Sequence, residues 1–322
     1  MDPLAPPTPD ALRDGTAPFV AAAALTRQGD LVAARCLATA LAFALPAEVL
    51  ALAEVVDPVV SDALGAAVLS SPLAPPLREA AATALERGAV TGASLAALAE
   101  VAEGPRRPPS SQAGRALELA LARSDASQRA EMDRLRHAAR QLRAGEGGSS
   151  RRIAYQRDIA RGAVHPMLAA LVDAEFLVGV VAPMDDEVAP VLVPHALLLA
   201  RGAQEPLRGK AMALIQRRWS PVAALPLSCA ARALTRPKDE PLRAALLAAL
   251  GALGAVDALT RCAVALSGSG RGVALAELSR QLPRALAEVG VEALRAALAA
   301  AARDADASVA AQAVALTARL PA

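Results

Sequence analysis

The line ARGAQEPLRGKAMALIQRR, Ala200 to Arg218, is answered thirty-five residues later by TRPKDEPLRAALLAALGAL, Thr235 to Leu253. Superposing the two sets Arg201 on Arg236, Glu205 on Glu240, Pro206 on Pro241, Leu207 on Leu242 and Arg208 on Arg243. The register extends to RDADASVAAQAVAL from Arg303, with Val309 in the leucine position, and to PLREAAATALERG near the start, with Leu77 there. A weaker copy, SGSGRGVALAEL, places Val273 there. The anchors at 77, 207, 242, 273 and 309 are separated by 130, 35, 31 and 36 residues, the first interval being close to four of the others. A period in the thirties is too long for one helix and fits two short helices with their turns.

The chemistry of the repeat is local. An acid followed by proline supplies a cap and a first-turn proline, and the negative charge meets the positive end of the helix dipole. Behind that start, Leu242, Leu246, Ala249 and Leu250 fall at offsets 0, 4, 7 and 8, one apolar stripe on a helix. Such a hairpin cannot bury its stripe alone, whereas stacking it on copies of itself can, so the expected fold is an all-α solenoid of helical hairpins. Composition agrees: 54% of the residues are hydrophobic but only 2% aromatic, an alphabet that favours helices over a β core.

The pattern V/L-R-x-x-A-x-x-A-L-G, led by acidic residues, resembles the second helix of short bacterial HEAT-like repeats. It stands here as Leu242, Arg243, Ala249, Leu250 and Gly251, and as Leu77, Arg78, Ala81, Ala84 and Leu85. The last copy keeps Asp304, Asp306, Val309 and Ala313 but departs at Ala310 and Thr317. The resemblance runs through about 200–322, occurs once near 72–88 and is poor over 104–165. The stretch GDLVAARCLATALAFALP, Gly29 to Pro46, also looks like a tetratricopeptide repeat, but the aromatic positions of that family are nearly absent. The HEAT-like resemblance implies an armadillo-type scaffold that binds a protein partner on its concave face, without catalysis and without a cofactor.

Charge is uneven although the net value is +2. Residues 1–100 sum to −6, residues 101–165 to +6 and the remainder to +2. The reading divides the chain into a proline-rich tail (1–15), N-terminal helical repeats (16–103), a basic helical connecting segment with loops (104–164) and C-terminal HEAT-like repeats (165–322). Within the basic middle, Arg129, Arg136, Arg140 and Arg143 fall on or near one helix face, and Arg151, Arg152, Arg157 and Arg161 follow. These eight arginines are the candidate surface for an anionic partner, nucleic acid included, because concentrated positive charge steers anions. The plainer account is a solvated helix face with Asp133–Arg136 and Glu131–Arg134 pairs at i,i+3 spacing.

Other constellations favour structure over chemistry. Asp185, Asp186 and Glu187 form an acidic run at a helix start, lacking the alternation a calcium loop needs. His137, His165 and His195 share no zinc spacing. The string GSGRG, Gly268 to Gly272, has no preceding strand and reads as an inter-repeat turn instead of a phosphate cradle. HEAT-like folds include DNA-alkylation glycosylases, but stacking an extruded base needs aromatic faces, and this chain has one tryptophan, Trp219, and one tyrosine, Tyr155. Helpers of cofactor lyases are a further HEAT-like class, and nothing in the residues points to a cofactor. Arg78, Arg208 and Arg243 recur at equivalent places and are expected to tie one repeat to the next.

No run of about 20 uncharged apolar residues is present: the longest uncharged stretch, Ala63 to Leu77, holds three prolines. The acidic, proline-rich start MDPLAPPTPD does not read as a signal peptide, and the expected location is the cytoplasm. Cys36, Cys229 and Cys262 are odd in number, widely spaced and set in apolar helical contexts, so buried free thiols are expected.

Overall fold

The computed structural model describes residues 16–28, 31–70, 75–103, 111–144 and 223–321, and every regular element among them is helical. The first group comprises α1 (Ala17–Arg27), α2 (Leu31–Phe43), α3 (Pro46–Ala51), α4 (Pro58–Ser70), α5 (Pro75–Arg87), α6 (Gly92–Glu103), α7 (Ser111–Arg123) and α8 (Ala126–Ala144). The second comprises α9 (Ala224–Ala233), α10 (Glu240–Leu253), α11 (Val256–Ala265), α12 (Gly268–Arg280), α13 (Leu282–Glu288), α14 (Val291–Ala301) and α15 (Ala307–Thr317). Single 3₁₀ turns follow α3, at Leu52–Glu54, and precede α10, at Pro237–Asp239.

The starts of these helices follow from their residues. Proline occupies the first turn of α1, α3, α10 and α13, where its missing N–H has no partner to lose. Before α4, Asp57 accepts from the Val59 N–H at 2.8 Å. Before α6, Thr91 Oγ1 accepts from the Ser94 N–H at 3.0 Å while Ser94 Oγ accepts from the Thr91 N–H at 3.1 Å, so each side chain satisfies the other's backbone. α10 ends at Gly254, whose φ of +67° is the left-handed cap that glycine tolerates.

Helix neighbours define two rows. In the first row α8 packs on α6, α6 on α4 and α4 on α2; in the other group α9 packs on α11 and α11 on α14. The second row holds α7, α5 and α3 in one group, and α10, α12 and α15 in the other. The pairs α4/α5, α6/α7, α9/α10, α11/α12 and α14/α15 are hairpins with one helix in each row. The groups meet where α2 packs against α9. Chain order therefore runs outward from this seam in both directions, α2 to α8 one way and α9 to α15 the other. The repeat anchors Leu77, Leu242, Val273 and Val309 all lie in second-row helices, α5, α10, α12 and α15. Leu77, Leu242 and Val309 are buried and Val273 packs partly buried against the core; Leu207 lies outside the described residues.

Burial differs between the groups. α4 from Val60 to Leu69 and α6 from Gly92 to Val101 present no exposed residue, so both are covered all round. Ala, Val, Leu and Gly dominate those spans, and of the four polar residues among them Ser61, Ser94 and Glu100 are buried while Asp62 accepts from Thr91 Oγ1. At the far end, α14 keeps an open side with Glu292, Ala296 and Ala299 exposed. α8 approaches the start of α6 so closely that a Cβ on Gly92 would come within 2.5 Å of Glu131 Cβ, which makes glycine the fitting residue there.

α13 and α14 are separate helices because Gly290 adopts φ +87° between them. The short α3 tightens into the 3₁₀ turn ending at Glu54. The GSGRG string is not a turn; it forms the first turn of α12, for a reason given below. Cys36, Cys229 and Cys262 are buried, and none of them is in a disulfide.

Candidate functional site

α8 carries the described part of the basic candidate surface. Its arginines are committed to the fold to differing degrees. Arg136, largely buried, donates to Glu103 of α6 at 2.9 Å and lies 3.9 Å from Glu100; its partners are on the neighbouring helix, not at Asp133. Arg129 reaches the end of α7, donating to Ser124 Oγ at 2.9 Å and to the carbonyls of Leu121 and Ser124 at 3.0 and 3.2 Å. Arg140 is exposed and donates to the Arg136 carbonyl at 3.4 Å. Glu131 and Arg134 stand 3.7 Å apart, the i,i+3 pair their spacing predicts. The structure thus brings Arg129, Arg136 and Arg140 onto one helix. The side chain of Arg143, and residues Arg151, Arg152, Arg157 and Arg161, lie outside the described residues, as do Arg208, Trp219, Tyr155, His165, His195 and the run Asp185–Glu187. His137 is exposed on α8.

A second pattern is an arginine placed on the end of a neighbouring helix. Arg123 of α7 donates to the carbonyls of Leu85, Glu86 and Gly88 at 3.2, 2.8 and 3.0 Å, at the C-terminus of α5. Arg243, in the recurring position, donates to the Leu234 carbonyl at the end of α9 at 2.9 Å and reaches Ser269 of the next hairpin at 3.4 Å. Arg271 donates to Ala263 and Val264 at the end of α11 at 2.8 and 3.1 Å and pairs with Asp304 at 2.7 Å. Cationic donors at helix C-termini satisfy orphan carbonyls and oppose the dipole, so these side chains bind helix to helix. Arg123→Ala is expected to lower unfolding stability by about 1 kcal/mol. Arg140→Ala should change it by less than about 0.5 kcal/mol. Paired urea titrations check the contrast, and equal effects would mean the helix-end contact contributes nothing beyond an exposed arginine.

The glycine string is explained by the same interactions. Asp304 accepts from the Gly268 N–H at 3.1 and 3.3 Å, occupying the helix start where an anion would otherwise sit. Its carboxyl is held below the usual carboxylate range by the N–H groups of Asp306 and Gly268 and by Arg271. GSGRG is therefore the N-terminus of α12, capped by a carboxylate from the next hairpin.

The most concentrated polar chemistry lies at the seam. Arg232 of α9 donates to Glu48 of α3 through both arms, at 2.5 and 3.3 Å, across 184 residues of sequence. Glu48 is itself held by the Leu45 N–H at 3.0 Å, as the third residue of its own helix. Both side chains are mostly buried, 13% and 11% exposed, and Arg232 Nε has no partner. The same guanidinium lies 3.4 Å from Cys229 Sγ. Burial works against the Arg232 charge, but Cys229 and Glu48 outweigh it and raise its pKa. Burial pushes the Cys229 thiol up to about 11 and the Cys262 thiol up to about 12, with Arg232 opposing both shifts. These thiols stay protonated at neutral pH and are poor nucleophiles.

Sequence reasoning did not single out Glu48 or Arg232. Glu48 carried a signal, an acid three positions beyond Leu45 in LPAEV, which marks a helix start. Arg232 was a lone charge in the apolar stretch LPLSCAARAL. Nothing in either segment names the other.

Among the described residues no group of three or more histidine, cysteine or acidic side chains is placed to hold a metal ion, and no helix is long and apolar enough to cross a membrane. Comparison with family models, with curated proteins and with solved structures gave no match.

Proposed function

We propose that the chain is an α-solenoid of HEAT-like hairpins that serves as a non-catalytic, cytoplasmic scaffold for a protein partner. The observation that supports this reading most is the equivalence of the repeat anchors, which recur in the second helix of four hairpins, α4/α5, α9/α10, α11/α12 and α14/α15. Repeats stacked in this way offer a continuous surface whose residues vary while the framework is kept. Cysteines held outside any disulfide fit a reducing compartment. Because α4 and α6 are covered all round, the receiving surface is assigned to the second row, where Leu119 of α7 and Val314 of α15 are exposed by 43% and 60%.

The test is affinity capture from native-host lysate with the full chain, beside a Leu119→Glu/Val314→Glu variant. Both positions are exposed, so the variant should melt as the parent does. The expected result is a reproducible protein partner whose recovery falls at least about tenfold in the variant, the loss of one or two apolar anchors at an interface. Equal recovery would overturn the assignment to the second row. Retention of DNA or RNA with a steep salt dependence, without a protein partner, would replace the scaffold reading with the anionic-partner reading of Arg129, Arg136 and Arg140.

A further inference from the structure

We propose that the Glu48–Arg232 pair is a register lock at the seam between the two helix groups. It fixes how α9 sits against the α2–α3 segment without being the main source of cohesion there. Three observations carry the inference. The pair joins segments 184 residues apart, so it acts between the groups and not within a hairpin. It is mostly buried, where taking two charges out of water offsets much of their attraction, and where the gain is geometric selectivity. Its geometry is demanding: Glu48 is oriented by the Leu45 N–H and meets a two-armed guanidinium, so a shift of either helix by one residue would part them.

The surroundings make a slipped register costly for polar reasons and tolerable for apolar ones. Cys229, Leu227, Ala230 and Ala231 are buried on α9, while Cys36, Leu37, Ala40 and Leu41 are buried on α2. These are mostly small or aliphatic groups, whose burial is non-directional. Arg232, with Nε already unpartnered, has no comparable alternative. The groups facing it are the Glu48 carboxylate from α3 and, from its own helix, the neutral Cys229 thiol.

The experiment uses the full chain with spin labels at Ala122→Cys on α7 and Ala311→Cys on α15, both exposed positions in different groups. The native thiols are buried, which keeps them from competing for the label. Inter-label distances are measured by pulsed electron spin resonance in the parent, in Glu48→Gln, in Arg232→Met and in the double variant Glu48→Met/Arg232→Met. The expected result is a narrow distribution in the parent, lowered Tm in both single variants, and in the double variant a Tm within a few degrees of the parent with a distribution at least twice as broad. A double variant with the parent's narrow distribution would overturn the proposal, showing that apolar packing alone sets the register. So would a double variant that fails to fold, since that outcome makes the pair a source of cohesion. Single variants that do not fold leave the double variant to decide.

Discussion

Leu98→Ala is expected to lower the unfolding free energy by about 4 kcal/mol, and Leu316→Ala by about half as much. Leu98 lies fully buried in α6, a helix covered on every side from Gly92 to Val101. A cavity opened there stays open. Leu316, on α15, is equally apolar and 4% exposed, but α15 has an open side where Val314 is exposed by 60%, so the helix can settle into the space. The cost of a truncation depends on how far the site can collapse, and the two positions differ in that respect while sharing their chemistry. Urea unfolding of the two variants measures the contrast. Equal losses would mean that the ends of the array are as constrained as its centre.

Raising the pH destabilises the protein between pH 9 and about 12. The thiols of Cys229 and Cys262 are lifted from 9.0 to about 11 and about 12, burial being the larger cause for both. Below pH 9 they are protonated in the folded and unfolded chains alike, so their contribution is fully present. Above it the unfolded thiols ionise while the folded ones keep their protons, and stability falls until the folded values are passed. By pH 11 the loss is roughly 2–3 kcal/mol from each thiol. The background is small, since the other side chains of this range are Cys36, two lysines, Lys210 and Lys238, and one tyrosine, Tyr155. The urea midpoint of the parent should drop steeply from pH 9 to 11, and that of a Cys229→Ala/Cys262→Ala variant should drop markedly less after its initial truncation cost. Parallel slopes in the two proteins would remove the thiols as the cause.

Helix content and hairpin spacing were legible because each is written within about thirty residues. The stripe Leu242, Leu246, Ala249 and Leu250 needs only helical periodicity to be read, and all four are buried. Leu77 and Val309 were placed by the repeat alone and are buried on second-row helices. What escaped was long-range: the outward order of the rows from α2 and α9, and the meeting of Glu48 with Arg232, depend on which hairpins touch, and no local pattern encodes that. On α8, spacing alone says where the arginines stand along the helix and not what faces them. Spacing placed Asp133 beside Arg136, but Glu103 and Glu100 on α6 face it across the helix contact and hold it instead. The glycines of GSGRG misled for a similar reason, since the carboxylate that makes them a helix start comes from Asp304, thirty-six residues away.

The placement of α2 beside α9 also sets a timetable for synthesis. Glu48 emerges from the ribosome 184 residues ahead of Arg232, which at about 5–20 residues per second is an interval of roughly 10–40 s. Hairpins α4/α5 and α6/α7 close from contacts near in sequence and need not wait. The flank of α2 that α9 will cover must wait, aliphatic and unprotected, for the later half of the chain, and this is the surface that a nascent-chain chaperone would have to shield.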